Sequence, residues 1–375
     1  MNAISIKITS EDVYQALLAD YHFQTIGIDG ATYFQKSKDL SSVSLARIIQ
    51  EHEFVEAVSK SSGPAFVFEK TLSGSTLTKS LPISRSFYDL LAIPKGDTLP
   101  SHEPSGYSKV LSEVAHRLNL PSAQFSGNPL SPISVDGLLE GELVNTLVAR
   151  LREAVKRKSL RDAILEQKRL TTQRFSTFRR YLHRLIQNCP NLYVFRLDFG
   201  YTVDAAAGIT NEKSATHLNC LLSILESDHF FNAFAGYWWR REYLSEVGNR
   251  YHLILFVDSQ KSPCDQAFLQ SLWHRWNDIT EGKGMCYNHP YRKDDYRSWG
   301  AGPVHNLWQD NQGLLLRGVK LMLAGECYLR LKKYLGTEND GMGKLPKLVD
   351  RTISGLFHPR HLESERCQVA QGGRL

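Results

Sequence analysis

A chain of 375 residues with 42% apolar side chains can bury more than one core, and it has no uninterrupted apolar run of about 18 residues that would cross a membrane. Its net charge of +6 leans mildly toward acidic partners. Six cysteines, Cys189, Cys220, Cys264, Cys286, Cys327 and Cys367, lack Cys-x-x-Cys spacing, which excludes a zinc knuckle and reads as reduced thiols. The N-terminus lacks a basic segment followed by an apolar stretch, so a cytoplasmic protein is expected.

Residues 1–92 read as a small α+β domain. AISIKI alternates like a strand, DVYQALLADYHF is spaced like a helix, and TIGIDGATYF places Asp29-Gly30 between alternating runs, as a hairpin requires. SLARIIQEHEFVEAVSK is helical and AFVFEKTLSGSTLTKSL a second hairpin; LSGSTLTKS lacks the Gly-Lys-Ser/Thr of a phosphate loop. Residues 93–134 are rich in Pro, Ser and Gly and read as a linker holding one helix, YSKVLSEVAHRLNL.

Residues 135–188 read as a basic helical connector broken once or twice. Twelve Lys or Arg stand against three acids between Arg150 and Arg184, with Phe175, Phe178 and Tyr181 interleaved. That pattern fits either a solvated helix face or a surface that tracks phosphates, with Arg174, Arg179 and Arg180 as candidate contacts. Pro190 and Asn191 stop the helix, and LYVFRLDFGY follows as a buried strand.

Residues 189–336 then run strand, helix, strand, strand, helix, loop, helix, with helices expected from Pro263 to Thr280 and from Asn311 to Leu335. An antiparallel sheet with helices on one face fits that order. Its middle is a hairpin, YWWRREYLSEVGNRYHLILFVD, turning through Gly248 and Asn249, across which Glu242 and His252 are expected to meet. A carboxylate and an imidazole there would suit Mg²⁺ or Mn²⁺. The segment MCYNHPYRKDDYRSWGAG mixes Tyr291, Tyr296 and Trp299 with Arg292, Lys293 and Arg297, as single-strand binding needs. His289 and Cys286 lack a further Cys or His pair for a zinc site. Residues 337–375 read as a basic, partly flexible tail.

Several segments in this order resemble the HUH replication-initiator and relaxase superfamily, most closely the filamentous-phage gene II-like and YagK/YfjJ C-terminal domain proteins. They are Arg196-Leu197-Asp198 with Tyr201, the hairpin with Glu242 and His252, Trp276 followed by Thr280, Gly282, Gly284 and Asn288, the loop Trp299-Gly300-Ala301-Gly302, and Tyr328 to Lys332. The resemblance implies a Rep-like core that binds DNA of single-stranded character, with a metal held by Glu242 and His252. It further implies a tyrosine nucleophile, for which Tyr328 with Lys332 four residues on is the candidate. Arg196 and Arg250 join the nucleic-acid set.

Three positions depart from the family pattern. Arg250 stands where His-hydrophobic-His would supply a second ligand, and Leu321 and Ala324 stand where a Tyr-x-x-Lys is expected. The expectation is therefore a DNA-binding protein of a mobile genetic element whose nicking centre is partly or wholly lost, needing no cofactor for binding. The alternatives are an active Mg²⁺- or Mn²⁺-dependent single-strand endonuclease, and an interaction subunit that docks a protein through its N-terminal domain.

Overall fold

The computed structural model describes residues 8–26, 28, 32–36, 42–94, 102–120, 125–133, 137–228, 231–244, 248–261, 266–290, 293, 296–304, 309–331 and 340–343. The strand expected in AISIKI, the residues Tyr291, Arg292 and Lys332, and most of the C-terminal tail lie outside them. No described helix is long and apolar enough to cross a membrane.

The first elements are α1 (Ser10–Tyr21), the hairpin β1 (His22–Ile26) with β2 (Thr32–Lys36), α2 (Ser42–Lys60), the hairpin β3 (Phe66–Lys70) with β4 (Thr76–Ser80), and α3 (Pro82–Ala92). After them come β5 (His102–Pro104), α4 (Gly106–Arg117) and α5 (Glu140–Lys156). α3 starts with Pro82 in its first turn, where a missing N–H costs nothing. One core unites α2, β3, α3, α4 and α5 through Phe54, Phe66, Phe87, Leu111 and Leu147. Polar side chains fasten it: the buried Glu140 carboxylate accepts from the Tyr88 hydroxyl at 2.7 Å and the Ser126 amide at 2.7 Å, and the Asn145 side chain clasps the backbone of Phe66. Buried polar groups are tolerated when they are satisfied in this way.

α6 (Lys158–Asn188) follows after a break at Arg157, whose ψ of 128° is extended. Its 31 residues span about 46 Å at 1.5 Å per residue. The C-terminal half buries Phe178, Tyr181, Leu182 and Leu185, spaced at three and four residues as one helical face demands.

The sheet holds β6 (Leu192–Tyr201), β7 (Phe234–Leu244), β8 (Gly248–Asp258), β9 (Gly284–Asn288), β10 (Gly302–Val304) and β12 (Asp340–Gly343). The short β11 (Leu329–Leu331) pairs with β5 instead. Between the strands lie α7 (Val203–Ala206), α8 (Asn211–Ser227), α9 (Gln266–Ile279) and α10 (Gln309–Gly325). Lateral order is β10-β6-β8-β7-β12, with β9 also on β6, and every pair is antiparallel. β6, α8, β7, β8, α9 and β9 thus form a βαββαβ unit in which the first and third strands lie side by side at the centre.

The fold is α+β, as expected. The two helices inside the βαββαβ unit, α8 and α9, lie on one face against Phe199, Leu253 and Leu255. The other face is not open: α6, α10 and α1 cover it through Val194, Trp238, Ile254 and Phe256. Both faces are buried because β8 is apolar on each side of its pleat, and an exposed sheet face of that composition would be costly. Cys220 is disulfide-bonded, a departure from the reduced set expected; Cys189, Cys286 and Cys327 remain thiols.

Candidate functional site

The pleat decides which side chains meet. On β6, Val194 faces α6 and α10, so the period of two places Arg196 and Asp198 on that same side. On β8, Arg250 and His252 share it with Ile254 and Phe256, and on β7, Arg240 and Glu242 share it with Trp238. Asp198 stands directly opposite His252 in the β6–β8 register. His289, one residue past β9, extends that ladder by donating its backbone N–H to the Arg196 carbonyl at 2.7 Å.

Asp198, His252 and His289 thereby form a cluster whose donor atoms lie within 4.8 Å of one another. One Asp198 oxygen takes a hydrogen bond from His252 Nδ1 at 2.7 Å, and the other lies 2.9 Å from His289 Nε2. Arg250 approaches Asp198 at 3.6 Å and also pairs with Glu242. Arg196 lies with Nη2 at 3.0 Å from His252 Nε2, and its Nη1 donates to the carbonyls of Tyr296 at 3.0 Å and Trp299 at 2.8 Å. α10 closes the roof, with Met322 offering its sulfur to Arg196 at 3.7 Å and its carbonyl to Arg240.

Every member of the cluster is essentially withdrawn from water. Burial alone would push the Asp198 carboxyl up, but His289, Arg250 and the His252 hydrogen bond hold it well below the usual carboxylate range. Burial pushes the His252 imidazole down to about 4, assisted by Arg196 and His289 against the pull of Asp198. His252 is therefore neutral near pH 7, with its proton on Nδ1 and Nε2 accepting from Arg196. For Glu242, burial raises the carboxyl while Arg250 and Arg240 more than offset it.

A carboxylate with two imidazoles has the donor chemistry of a divalent-cation site. The Arg196 guanidinium occupies the approach to His252 Nε2, and Arg250 stands beside Asp198, so a cation there would meet two fixed like charges. The residues as arranged do not fit a metal ion, and they compose a buried charge network.

Gly318 is the feature of α10 that permits this closure. A Cβ at that position would sit 2.8 Å from Arg196 Nη1 and 3.0 Å from the Tyr296 carbonyl. Gly318→Ala is expected to displace Arg196, with overpacking offset in part by the helix preference of alanine, for a net loss of about 1–2 kcal/mol. The His252 imidazole should then titrate at higher pH, which ring-proton NMR would follow; an unchanged titration would show that Arg196 does not act on it.

Several expected placements need correction. Glu242 does not meet His252: its cross-strand neighbour is Arg250, and His252 faces Arg240 and Asp198. Tyr328 is not on a helix, since α10 ends at Gly325 and Tyr328 lies in the following turn, so helical spacing to Lys332 does not apply. Its hydroxyl lies 3.1 Å from Ser10 Oγ, and its ring packs on His52 at 4.5 Å, giving it a packing role away from Asp198 and His252. Burial also pushes its phenol up, away from the phenolate a nucleophile requires. Leu321 is buried in the core under α10 and Ala324 packs against it.

Of the nucleic-acid set, Arg196, Arg250 and Arg297 are buried and cannot reach a strand. Tyr296 is buried as well, while Trp299 is half-buried, donates Nε1–H to the Lys293 carbonyl at 3.0 Å, and lies under Arg317. These rings serve the core and its rim, while Lys293 stays exposed. Arg174 is tied to Glu326 at 2.8 Å, whereas Arg179 and Arg180 are exposed. Cys286 and His289 point to opposite faces of β9, which removes the zinc pairing.

No family model, curated protein or solved structure matches the chain.

Proposed function

We propose that the protein binds DNA without nicking it, as an accessory protein of a mobile genetic element built on a Rep-like sheet. The observation that carries the non-nicking half is the closed centre: Arg196 stands on His252 Nε2, Arg250 holds Glu242, and the candidate tyrosine packs on His52 instead. Tyrosine attack on a phosphodiester needs an accessible phenolate oxygen in line with the phosphorus, and a metal or cation on the phosphate oxygens. A centre withdrawn from solvent offers neither to a strand. Support for DNA as the partner comes from the cations that α5 and α6 turn outward. The resemblance to replication initiators points the same way.

Incubation with end-labelled single-stranded and duplex DNA, with and without Mn²⁺, followed by native and denaturing gels, tests both halves. Salt-sensitive retention independent of Mn²⁺, with no adduct surviving denaturation, is expected. A Mn²⁺-dependent covalent adduct abolished by Tyr328→Phe would establish the nicking enzyme in its place. Failure to retain either DNA at low salt would remove DNA as the partner.

A further inference from the structure

The N-terminal two thirds of α6 is bare on one side. At 100° per residue, Leu160, Ile164, Gln167, Thr171 and Phe178 fall within a narrow inward arc, and each is half-buried or buried. Lys158, Arg161, Lys168, Arg169, Arg179 and Arg180 fall together on the outward side, within roughly 120° of the helix circumference, and all six are exposed. From Lys158 to Arg180 the stripe runs about 33 Å. Arg169 pairs with Glu166 at 2.6 Å and Lys168 with Glu56 at 3.2 Å, whereas Lys158, Arg161 and Arg179 make no ion pair with any described residue.

Helix stability does not account for this arrangement. The first turn of α6 contains no acid, and its N-cap Arg157 makes no side-chain cap. Cations crowded at that end oppose the helix dipole, so the isolated protein carries a cost there that an anion would relieve. Between the cations the outward arc holds Thr172 and Ser176, small polar residues that let a second surface approach, together with the exposed Leu165 and, at its edge, Asp162, one acid against six cations.

Resting on the DNA-binding reading above, we infer that the stripe on α6 binds the phosphate backbone of double-stranded nucleic acid, independently of sequence, over one helical turn. Its length matches the 34–36 Å or so of one duplex turn. The choice of duplex over single strand follows from where the aromatic residues point. Single-strand binding draws on rings that stack on unpaired bases. Here Phe178 and Tyr181 are buried, the Tyr181 hydroxyl accepts from the Tyr237 amide at 2.9 Å, and Phe175 lies beneath Lys320. The stripe can meet phosphates and has no ring to offer a base. It is rigid as well, because its inward face packs on α4 and α10, and a straight rigid row suits a stiff duplex better than a pliable strand.

The triple variant Lys158→Glu, Arg161→Glu, Arg179→Glu tests this on the full chain, by fluorescence anisotropy with a 30-base-pair duplex of about three turns and the corresponding single strand, across a salt series. The control reverses Lys70, Lys79 and Arg117, exposed cations outside the stripe. Wild type is expected to bind duplex at least tenfold more tightly than single strand. The triple variant should lose more than a hundredfold at low salt, with its log–log salt slope shallower by about 0.9 for each phosphate left unneutralised, while the control loses less than tenfold. All six changed positions in the two variants are exposed, and matching thermal melts would confirm that the fold persists.

Equal losses in the triple variant and the control would assign any binding to net charge and overturn the stripe, leaving DNA binding itself in place. Tighter binding of the single strand would overturn the duplex assignment. Binding to phosphatidylcholine–phosphatidylserine vesicles that the triple variant abolishes, without binding to duplex, would give the surface to a membrane. Wild type binding neither nucleic acid would defeat both this inference and the function on which it rests.

Discussion

Asp198→Ala is expected to destabilise the protein by about 3–5 kcal/mol, the usual cost of removing one partner from a buried ion pair. Asp198 is the carboxylate that touches both histidines of the centre, and it sits between Arg250 and the Arg196–His252 pair. Its removal leaves His252 Nδ1 without an acceptor and the guanidinium of Arg250 with Glu242. The low-dielectric surroundings enlarge that imbalance, because nothing in the closed site can replace the missing charge. Urea unfolding at pH 7.5 would measure it, and Asp198→Asn, which keeps the shape and part of the hydrogen bonding, should cost less. A loss below about 1 kcal/mol for Asp198→Ala would show that water enters the centre readily. That outcome would also weaken the case for a closed, non-nicking site.

Much of this arrangement is legible in the sequence. The apolar run Leu192–Tyr201 marks one long central strand, and three-four spacing marks α2, α4, α8 and α9, whereas the turn expected through Gly248 and Asn249 is misplaced: both residues already belong to β8, opposite Leu244 and Tyr243. Arg196, Asp198 and His252 are all visible as members of a strand-borne set. Register is what the residues do not reveal. Glu242 and His252 lie ten positions apart around a hairpin, and a two-residue shift in register, which keeps every side chain on its own face, decides whether the glutamate meets the histidine or Arg250.

His289 is hidden for a related reason. β9 has only five residues inside a segment crowded with turn-forming and charged residues, so its strand character depends on pairing with β6. Only that pairing shows that His289 lies beside Asp198. The end of α10 at Gly325 is signalled by the glycine itself, which leaves room for Leu17 at 3.1 Å from a notional Cβ. The apolar residues beyond it extend the helical pattern falsely, because they belong to β11. Among the basic residues of α6, composition reveals the charge, but only burial separates the outward cations from Arg174 and from rings that face the core.

The second large effect expected is an acid-labile fold, with stability lost as pH falls from about 6.5 toward 4. Two buried histidines carry it. His252 titrates near 4 chiefly because it is buried, and His52, packed between Tyr107 and Tyr328 with Nδ1 at 3.0 Å from Ser105 Oγ, is also pushed down to about 4 by burial, with Lys168 and Lys60 opposing Glu56. Above about pH 6.5 both imidazoles are neutral whether the chain is folded or not, so their full contribution is present there. As pH falls below that value the unfolded chain takes up protons that the folded chain refuses, and unfolding gains free energy until the folded imidazoles titrate near 4. A pKa moved from about 6.5 to about 4 amounts to roughly 3 kcal/mol per imidazole, which for two is a large fraction of the 5–15 kcal/mol or so that holds a typical domain. Urea midpoints should therefore stay level from pH 7.5 to about 6.5 and fall from there to pH 4.5, and His52→Gln should remove about half of that slope while sparing the sheet centre. A midpoint that stays level to pH 4.5 would mean that both histidines reach water in the folded protein, and the closed centre would have to be abandoned.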